Sequence, residues 1–342
     1  MRAALLERVG RMVMVDVERP AITQPDEILI HTKTVGVCGS EVHAFHGTHP
    51  YRRAPVILGH EAAGDVVAVG NAVKEFQVGD RVIVDPQWTC GKCEYCKRGD
   101  INLCPSKKVL GTANWQGAFG EYFIAPEKAV FHLPPNLSYA QGSLIEPLTV
   151  GVHVARRANL QAGESVAILG TGSVGGLLSG VCRAQGAKTI ITADIQQHCL
   201  DAARERLGAT HDFLLPDVNV AEKIKRVTDG GVDVVFITAD DVSLVNLGIE
   251  IAKRRGRIVL VALLTHAPLQ FTAYPIISKE LQIVGSLMSN QADVECAINL
   301  AVSGRVDVQA IATHCLPIEQ AQRGMELALT KNDNVIKVIL EF

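Results

Sequence analysis

The sequence predicts an α/β protein in which a doubly wound parallel sheet is joined to a smaller, mostly-β unit. Three observations lead there. Residues from about 160 alternate short apolar runs with amphipathic stretches, the pattern of βαβα units with right-handed crossovers. The first 150 residues are instead broken by Gly and Pro around short β-prone runs. With 342 residues, 48% hydrophobic and 20% charged, the chain is long enough to bury two cores and has the composition of a globular protein.

Taken in order, "EILIHTKTVGV" (27–37) and "GDVVAVG" (64–70) read as strands of the β unit, and "LIEPLTVGVHVARR" (144–157) as a connecting helix. "SVAIL" (165–169) is apolar throughout, as expected of a strand buried on both faces. Val174, Leu177, Leu178 and Val181 then recur at helical spacing up to a stop near Gly186. "KTIITA" (188–193) is the next strand, and Leu200, Ala203 and Leu207 mark a helix ending at Gly208. "VDVVFITA" (232–239) and "GRIVLVALL" (256–264) are further strands with helix-like text between them. Helices near 292–303 and 317–330 and a last strand, 335–342, close the chain. The domains read as 1–150, 151–290 for the parallel sheet, and 291–342 as a return to the first unit.

Composition removes several function classes. A net charge of −3 with no long basic run offers no nucleic-acid footprint. The longest apolar run, 258–264, is too short to cross a bilayer. The first residues, "MRAALLERVGRMVMVDVE", are interrupted by charge and do not read as a secretory signal. Nine cysteines in such a chain point to metal binding in a reducing, cytoplasmic setting.

"GTGSVG" (170–175) follows a strand and opens a helix, the context that makes G-x-G-x-x-G a dinucleotide fingerprint. Gly170 allows the tight turn, Gly172 the approach of a pyrophosphate and Gly175 close packing of helix on sheet. The helix start at Ser173 and Val174 offers free N–H groups to the phosphates. Asp194 stands 22 residues after Gly172, where a carboxylate accepts from the adenosine ribose and repels a 2′-phosphate. "IQQH" supplies no arginine after it, so NAD is expected over NADP.

Two constellations carry cysteine. "CGKCEYCKRGDINLC" spaces Cys90, Cys93, Cys96 and Cys104 as C-x2-C-x2-C-x7-C, which suits a closed tetrahedral zinc in a lobe over about 88–106. Lys92, Lys97 and Arg98 are placed to offset its charge. The second set is scattered: Cys38, Ser40, Glu41 and His43 in "GVCGSEVH", His60 and Glu61 in "GHEAAG", and Glu146 far along the chain. One thiolate, one imidazole and one or two carboxylates make a plausible open zinc set. It also accounts for a glutamate in the apolar text around 144–150, because a buried carboxylate needs a partner.

Through "CGSEVH", "LGHEAAG", "GDRV", the four-cysteine lobe, "LIEPLTVGVH" and "ILGTGSVG", nearly the whole chain resembles the zinc-dependent medium-chain alcohol dehydrogenases, and among them the sorbitol (polyol) dehydrogenases. The resemblance implies a GroES-like catalytic domain beside a Rossmann domain, two zincs per subunit, NAD, and a homo-tetramer or dimer. It implies Cys38, His60, Glu61 and Glu146 as catalytic-zinc ligands or holders of its water. Ser40 then bonds the substrate alcohol, and His43 passes the proton on by way of the cofactor ribose. Val261, Ala262, Leu263, Ser286 and Leu287 face the nicotinamide.

Two departures stand out. Glu41 occupies the place of a usual Asp that orients the zinc-bound histidine. "SLMSN" (286–290), with Met288 and Ser289, replaces an Arg–Tyr pair that helps hold polyols. The expected reaction is reversible oxidation of a polyol's secondary alcohol to a ketone. A vicinal diol, a threonine-type amino alcohol and a polyol phosphate are the alternatives, and a non-catalytic zinc- and NAD-binding protein is the alternative of another class. Arg52 and Arg53, in "YRRAP", either greet an anionic group of the substrate or stand solvated in a loop.

Overall fold

The computed structural model describes residues 1–264, 268 and 270–342. The chain divides into two compact units, Met1–Glu146 with 290–294 and 312–342, and Pro147–Ser289 with 295–311. The chain re-enters the first unit at Asn290, close to the 291 that the sequence suggests, but does not stay in it. The helix Gln291–Val302 begins in the first unit, but from Glu295 to Ile311 the chain belongs to the second.

The first unit is built on a seven-stranded sheet. Its order is Val130–His132, Arg81–Val84, Glu61–Val69, Glu27–Gly36, Lys337–Glu341 and Ala312–Pro317, with Tyr122–Pro126 also pairing Glu27–Gly36. A three-stranded sheet (Arg11–Asp16, Arg2–Arg8, Val56–Ile57) packs through the same core, which contains the fully buried Leu6, Ile28, Ile30, Leu58, Phe119 and Val338. Each such side chain contributes about 1.5–3 kcal/mol by leaving water. The N-terminal hairpin and the strand Ala312–Pro317 go beyond the sequence reading. The latter's residues alternate between half-buried and exposed, so it carries no continuous apolar run.

The second unit is a six-stranded parallel sheet ordered His211–Leu214, Thr189–Asp194, Ser165–Leu169, Val232–Ile237, Ala252–Leu260 and Gln282–Gly285. Ser165–Leu169 is buried at every residue, as its composition requires. The strand expected at 256–264 starts earlier and stops at Leu260. Arg255, at φ 61°, breaks its register, and past Leu260 both Val261 N–H and Ala262 N–H turn to donate to Ile237 O at 3.0 and 3.1 Å. Among the described residues no helix is long and apolar enough to cross a membrane.

Candidate metal centre

The scattered set converges within the first unit. Cys38 is the N-cap of the helix Gly39–His46, and His60 and Glu61 enter the strand Glu61–Val69 from the turn at Gly59. Glu146 lies in the first turn of the helix Ile145–Arg157, where Pro147 is tolerated because that position needs no N–H partner. Ligand atoms of Cys38, Glu41 and His60 lie within 4.8 Å of one another, as do those of His60, Glu61 and Glu146. His60 belongs to both groups.

Glu41 is wholly buried and fully engaged. Its Oε2 accepts from Cys38 N–H (2.8 Å), and its Oε1 accepts from Gly59 N–H (3.1 Å) and bonds His60 Nδ1. An ionised carboxylate only accepts, so His60 Nδ1 carries the proton and Nε2 remains for a metal. Burial opposes the charge on Glu41, but His60, Arg52 and the Cys38 N–H outweigh it and hold the carboxyl at about 2. The longer side chain thus reaches His60 directly. Its effect is to join two ligand-bearing segments, those of Cys38 and His60, through one carboxylate.

Glu61 has a partner that sequence reading missed. Lys337, 2% exposed on the last strand, donates to both Glu61 carboxylate oxygens at 2.8 Å and to Val37 O at 3.0 Å. The signal was a lone lysine inside the apolar run "VIKVIL". Room for the pair comes from Gly36, where a Cβ would stand 2.0 Å from Glu61 Oε2. Glu146 makes no ion pair among the described residues and feels Lys337 only at longer range. Burial, offset in part by His60 and reinforced by Glu61, raises its carboxyl to about 7. Asp85, directly after the strand Arg81–Val84, is likewise raised to about 7 by burial despite a hydrogen bond from Gln87.

Ser40 Oγ is buried with no hydrogen-bond partner among the described residues. His43 is one turn further along the same helix, its Nδ1 3.1 Å from Thr48 Oγ1. Arg52 does not face solvent: it is 4% exposed, and its Nη1 donates to Leu110 O and Gly111 O at 3.0 Å each. Arg53 is exposed. Neither alternative offered by the sequence, an arginine greeting an anion or one solvated in a loop, holds for Arg52, whose guanidinium is used inside the protein.

The donor set fits zinc. A soft thiolate, an imidazole with its far nitrogen fixed by a carboxylate, and additional carboxylates are the ligands of open zinc sites. The four-cysteine lobe fits a closed one. Cys104 Sγ lies 3.6 Å and Cys96 Sγ 3.9 Å from Cys90 Sγ, close to the edge of about 3.8 Å that four Zn–S bonds of about 2.3 Å require. All nine cysteines are free thiols. Cys93 caps the short helix Glu94–Arg98. N–H groups of Lys92 and Cys93 bring the Cys90 thiol down to about 6, whereas burial and neighbouring thiols push Cys96 up to about 11. Lys92, Lys97 and Arg98 are exposed, and Arg98 pairs with Asp100 at 3.5 Å. The cation felt at Cys104 is the half-buried Lys107.

In the second unit Gly170 adopts φ +103°, and a Cβ there would meet Ala239 N at 2.6 Å. A Cβ on Gly175 would reach Gly170 O at 1.9 Å, whereas one on Gly172 would meet nothing within 4 Å. Gly170 and Gly175 are thus required by packing, and Gly172 leaves backbone open to a ligand. A cleft of about 500 Å³ beside this turn is lined by Gly170, Asp194, Ile195, Pro216, Asp217 and Asp241 among others. Asp194 accepts from Thr171 N–H (2.5 Å) and Gln196 N–H (2.9 Å). Val261, Ala262 and Leu263 follow the end of one parallel strand, and Ser286 and Leu287 the end of its neighbour, the side on which α/β sheets bind ligands. Ser286 Oγ is buried without a partner among the described residues, and Met288 holds φ 51°.

Comparison with known proteins agrees with this arrangement. Residues 24–135 match the alcohol dehydrogenase GroES-like domain, and residues 173–303 the zinc-binding dehydrogenase domain. The chain is 36% identical to sorbitol dehydrogenase of Bacillus subtilis, covering 99% of this chain and 97% of that one. It is 34% identical to a probable D-xylulose reductase A of Aspergillus clavatus, over 94% and 92% of the two chains. An Escherichia coli oxidoreductase/dehydrogenase of unknown specificity involved in membrane biogenesis superposes with a TM-score of 0.93 at 32% identity, over 99% and 98%. A shared pair of domains, together with this degree of identity over essentially the full length, places the chain in the zinc-dependent medium-chain alcohol dehydrogenase family, as an enzyme close to the polyol dehydrogenases.

Proposed function

We propose that the protein reversibly oxidises a secondary alcohol of a polyol to a ketone, with NAD as hydride acceptor and two zincs per subunit. The observation that carries this reading is the convergence of Cys38, His60, Glu61 and Glu146, with a Ser40 hydroxyl close in sequence to Cys38 that is buried and has no partner among the described residues. Cys38, His60 and one or both of Glu61 and Glu146 would hold the catalytic zinc, and Cys90, Cys93, Cys96 and Cys104 the structural one. When bound, zinc makes an alcohol hydroxyl more acidic, as it lowers water to about 7, and NAD supplies the hydride chemistry. The protein's own residues do the rest. Glu41 fixes the His60 ring, Lys337 pairs with the Glu61 carboxylate, and Ser40 Oγ accepts the proton leaving the substrate hydroxyl as it gives up its own. His43, at i+3 on the same helix, passes it outward. Gly170, Gly172, Ser173, Val174 and Gly175 would cradle the pyrophosphate and Asp194 the ribose.

NAD is favoured over NADP because Asp194, Asp217 and Asp241 make the cleft acidic beside the place of a 2′-phosphate. A second reading, a small vicinal diol, is supported by Met288 in place of a charged polyol-holding residue. The polyol-phosphate reading loses its main support with Arg52 turned inward. Nine free thiols suit a reducing cytoplasm. A homo-tetramer or dimer is the proposed assembly, and the half-exposed edge strand Gln282–Gly285, with Ile283 and Leu287 exposed, is one surface that would need covering.

The test is NAD and NADP reduction by the zinc-loaded enzyme across polyols, vicinal diols, threonine and polyol phosphates, with a chelator control. Chelator-sensitive turnover of polyols with NAD is expected. Tight NAD binding by the two-zinc protein with no turnover on any alcohol would favour a non-catalytic role.

A further inference from the structure

We propose that Arg52 is a positioning residue for the zinc-binding imidazole, acting through Glu41; this rests on the metal reading above. Glu41 and Glu61 flank His60 as two wholly buried carboxylates. Lys337 matches the second with two 2.8 Å contacts. Among the described residues the arginine paired with the first is Arg52, whose Nη1 stands 3.7 Å from Glu41 Oε1, the same oxygen that bonds His60 Nδ1. Its side chain is 3% exposed, so little water screens the pair. Cys38, Glu41, Glu61 and Glu146 bring up to four negative charges, and Arg52 and Lys337 two positive ones. A divalent metal completes neutrality, which a buried cluster needs. Without Arg52 the excess charge falls on the carboxylate that aims the ring.

The guanidinium is also locked. Nη1 donates to Leu110 O and Gly111 O, while Arg52 N–H and Tyr51 N–H donate to His49 Nδ1 at 3.0 and 3.3 Å. Gly111 has φ +79°, and a Cβ on it would stand 2.5 Å from Nη1. Arg52 Nε, buried, has no partner among the described residues. A substrate-facing arginine would not be enclosed in this way. The chemistry is that of an outer partner of a metal ligand, and such partners are worth about 10–100-fold in metal affinity.

Zinc release from the loaded enzyme to a chromogenic chelator tests this, with Cys104→Ser identifying the phase that belongs to the lobe. Arg52→Met is expected to speed the other phase by about 10–100-fold and leave the lobe phase unchanged. Arg52→Lys should recover part of the loss, and Gly111→Ala, which displaces Nη1, should act in the same direction. In a Glu41→Gln background Arg52→Met should add almost nothing, because the effect passes through that carboxylate. A merely structural arginine would lower the unfolding midpoint without this selectivity. Equal release by wild type and Arg52→Met, both carrying two zincs, overturns the inference alone. A wild-type protein that binds zinc only at the four cysteines overturns the metal reading and the inference with it. If Arg52→Met does not fold, Arg52→Lys and Gly111→Ala decide by the same phase.

Discussion

The two cysteine-bearing centres sit in one compact unit yet are built in opposite ways. The lobe draws four like donors from 15 consecutive residues, three of them half-exposed, with backbone N–H groups and one half-buried lysine as its electrostatic support. The mixed centre draws unlike donors from positions 38 to 146, and its carboxylates are neutralised by Arg52 and by Lys337, nearly 300 positions from Cys38. A local centre needs only its own turn geometry. A dispersed one depends on the sheet being correctly assembled, and it can leave a coordination place open because its donors are fixed by other parts of the fold.

The sharpest way to break this contrast is to remove one donor from the dispersed set. Cys38→Ser or His60→Ala should cost turnover more than the about 100-fold typical of losing an outer partner, while the lobe keeps its zinc. Metal analysis alongside NAD reduction checks both halves. Loss of both zincs from Cys38→Ser would show the centres to be coupled.

Next in size is Lys337→Met, which leaves Glu61 buried without its cation. Breaking a buried pair by removing one partner costs about 3–5 kcal/mol. Urea unfolding of the zinc-free protein measures it directly, and a loss below about 1 kcal/mol would mean that Glu61 protonates or finds water instead. The double variant Lys337→Met with Glu61→Gln should regain much of the loss, since no unpaired charge remains.

A smaller effect concerns pH. The Glu146 carboxyl titrates near 7 in the zinc-free fold, above its ordinary 4.5. Folding therefore favours its protonated form, and that contribution is complete below about pH 4.5 and lost as pH rises toward 7. Asp85 shifts the same way. Zinc competes with the Glu146 proton, so zinc affinity should rise over this interval. In Glu146→Gln the fall in zinc-free unfolding midpoint between pH 4.5 and 7 should flatten, and an unchanged fall would assign it to Asp85. At the lobe the thiols dominate, with Cys90 titrating near 6, so its zinc affinity should show a different pH profile.

The same contrast explains what could be read from sequence. Contiguous spacing and strand–turn–helix context made the lobe and the "GTGSVG" turn legible, because their geometry is set within a few residues. The parallel strands were legible where burial is continuous, as at Ser165–Leu169. Edge elements with mixed burial, such as Ala312–Pro317, carry no pattern that separates them from loop. Cys38, His60 and Glu146 could be grouped, but Lys337 could not, because sheet register brings Ile339 opposite Gly36 and no local rule encodes that pairing. Arg52 was visible as a residue and misread in direction. Only the fold shows that Leu110 and Gly111 offer carbonyls to it.

The smallest effect on chemistry should come from the lobe itself. Cys104 is buried and 3.6 Å from Cys90, so Cys104→Ser removes one of four thiolates and opens a closed site. One zinc should be lost and the thermal midpoint should fall, since a structural metal contributes its binding energy to folding. For molecules that remain folded, kcat/KM should change by no more than a few fold, because no lobe residue belongs to the groups around His60. Set beside Cys38→Ser, this yields a crossed pattern: one variant weakens the fold and spares the chemistry, the other does the reverse. A Cys104→Ser enzyme as inactive as Cys38→Ser, at a temperature where both are folded, would mean that the lobe shapes the reacting centre and that the division between local and dispersed sites is wrong for this protein.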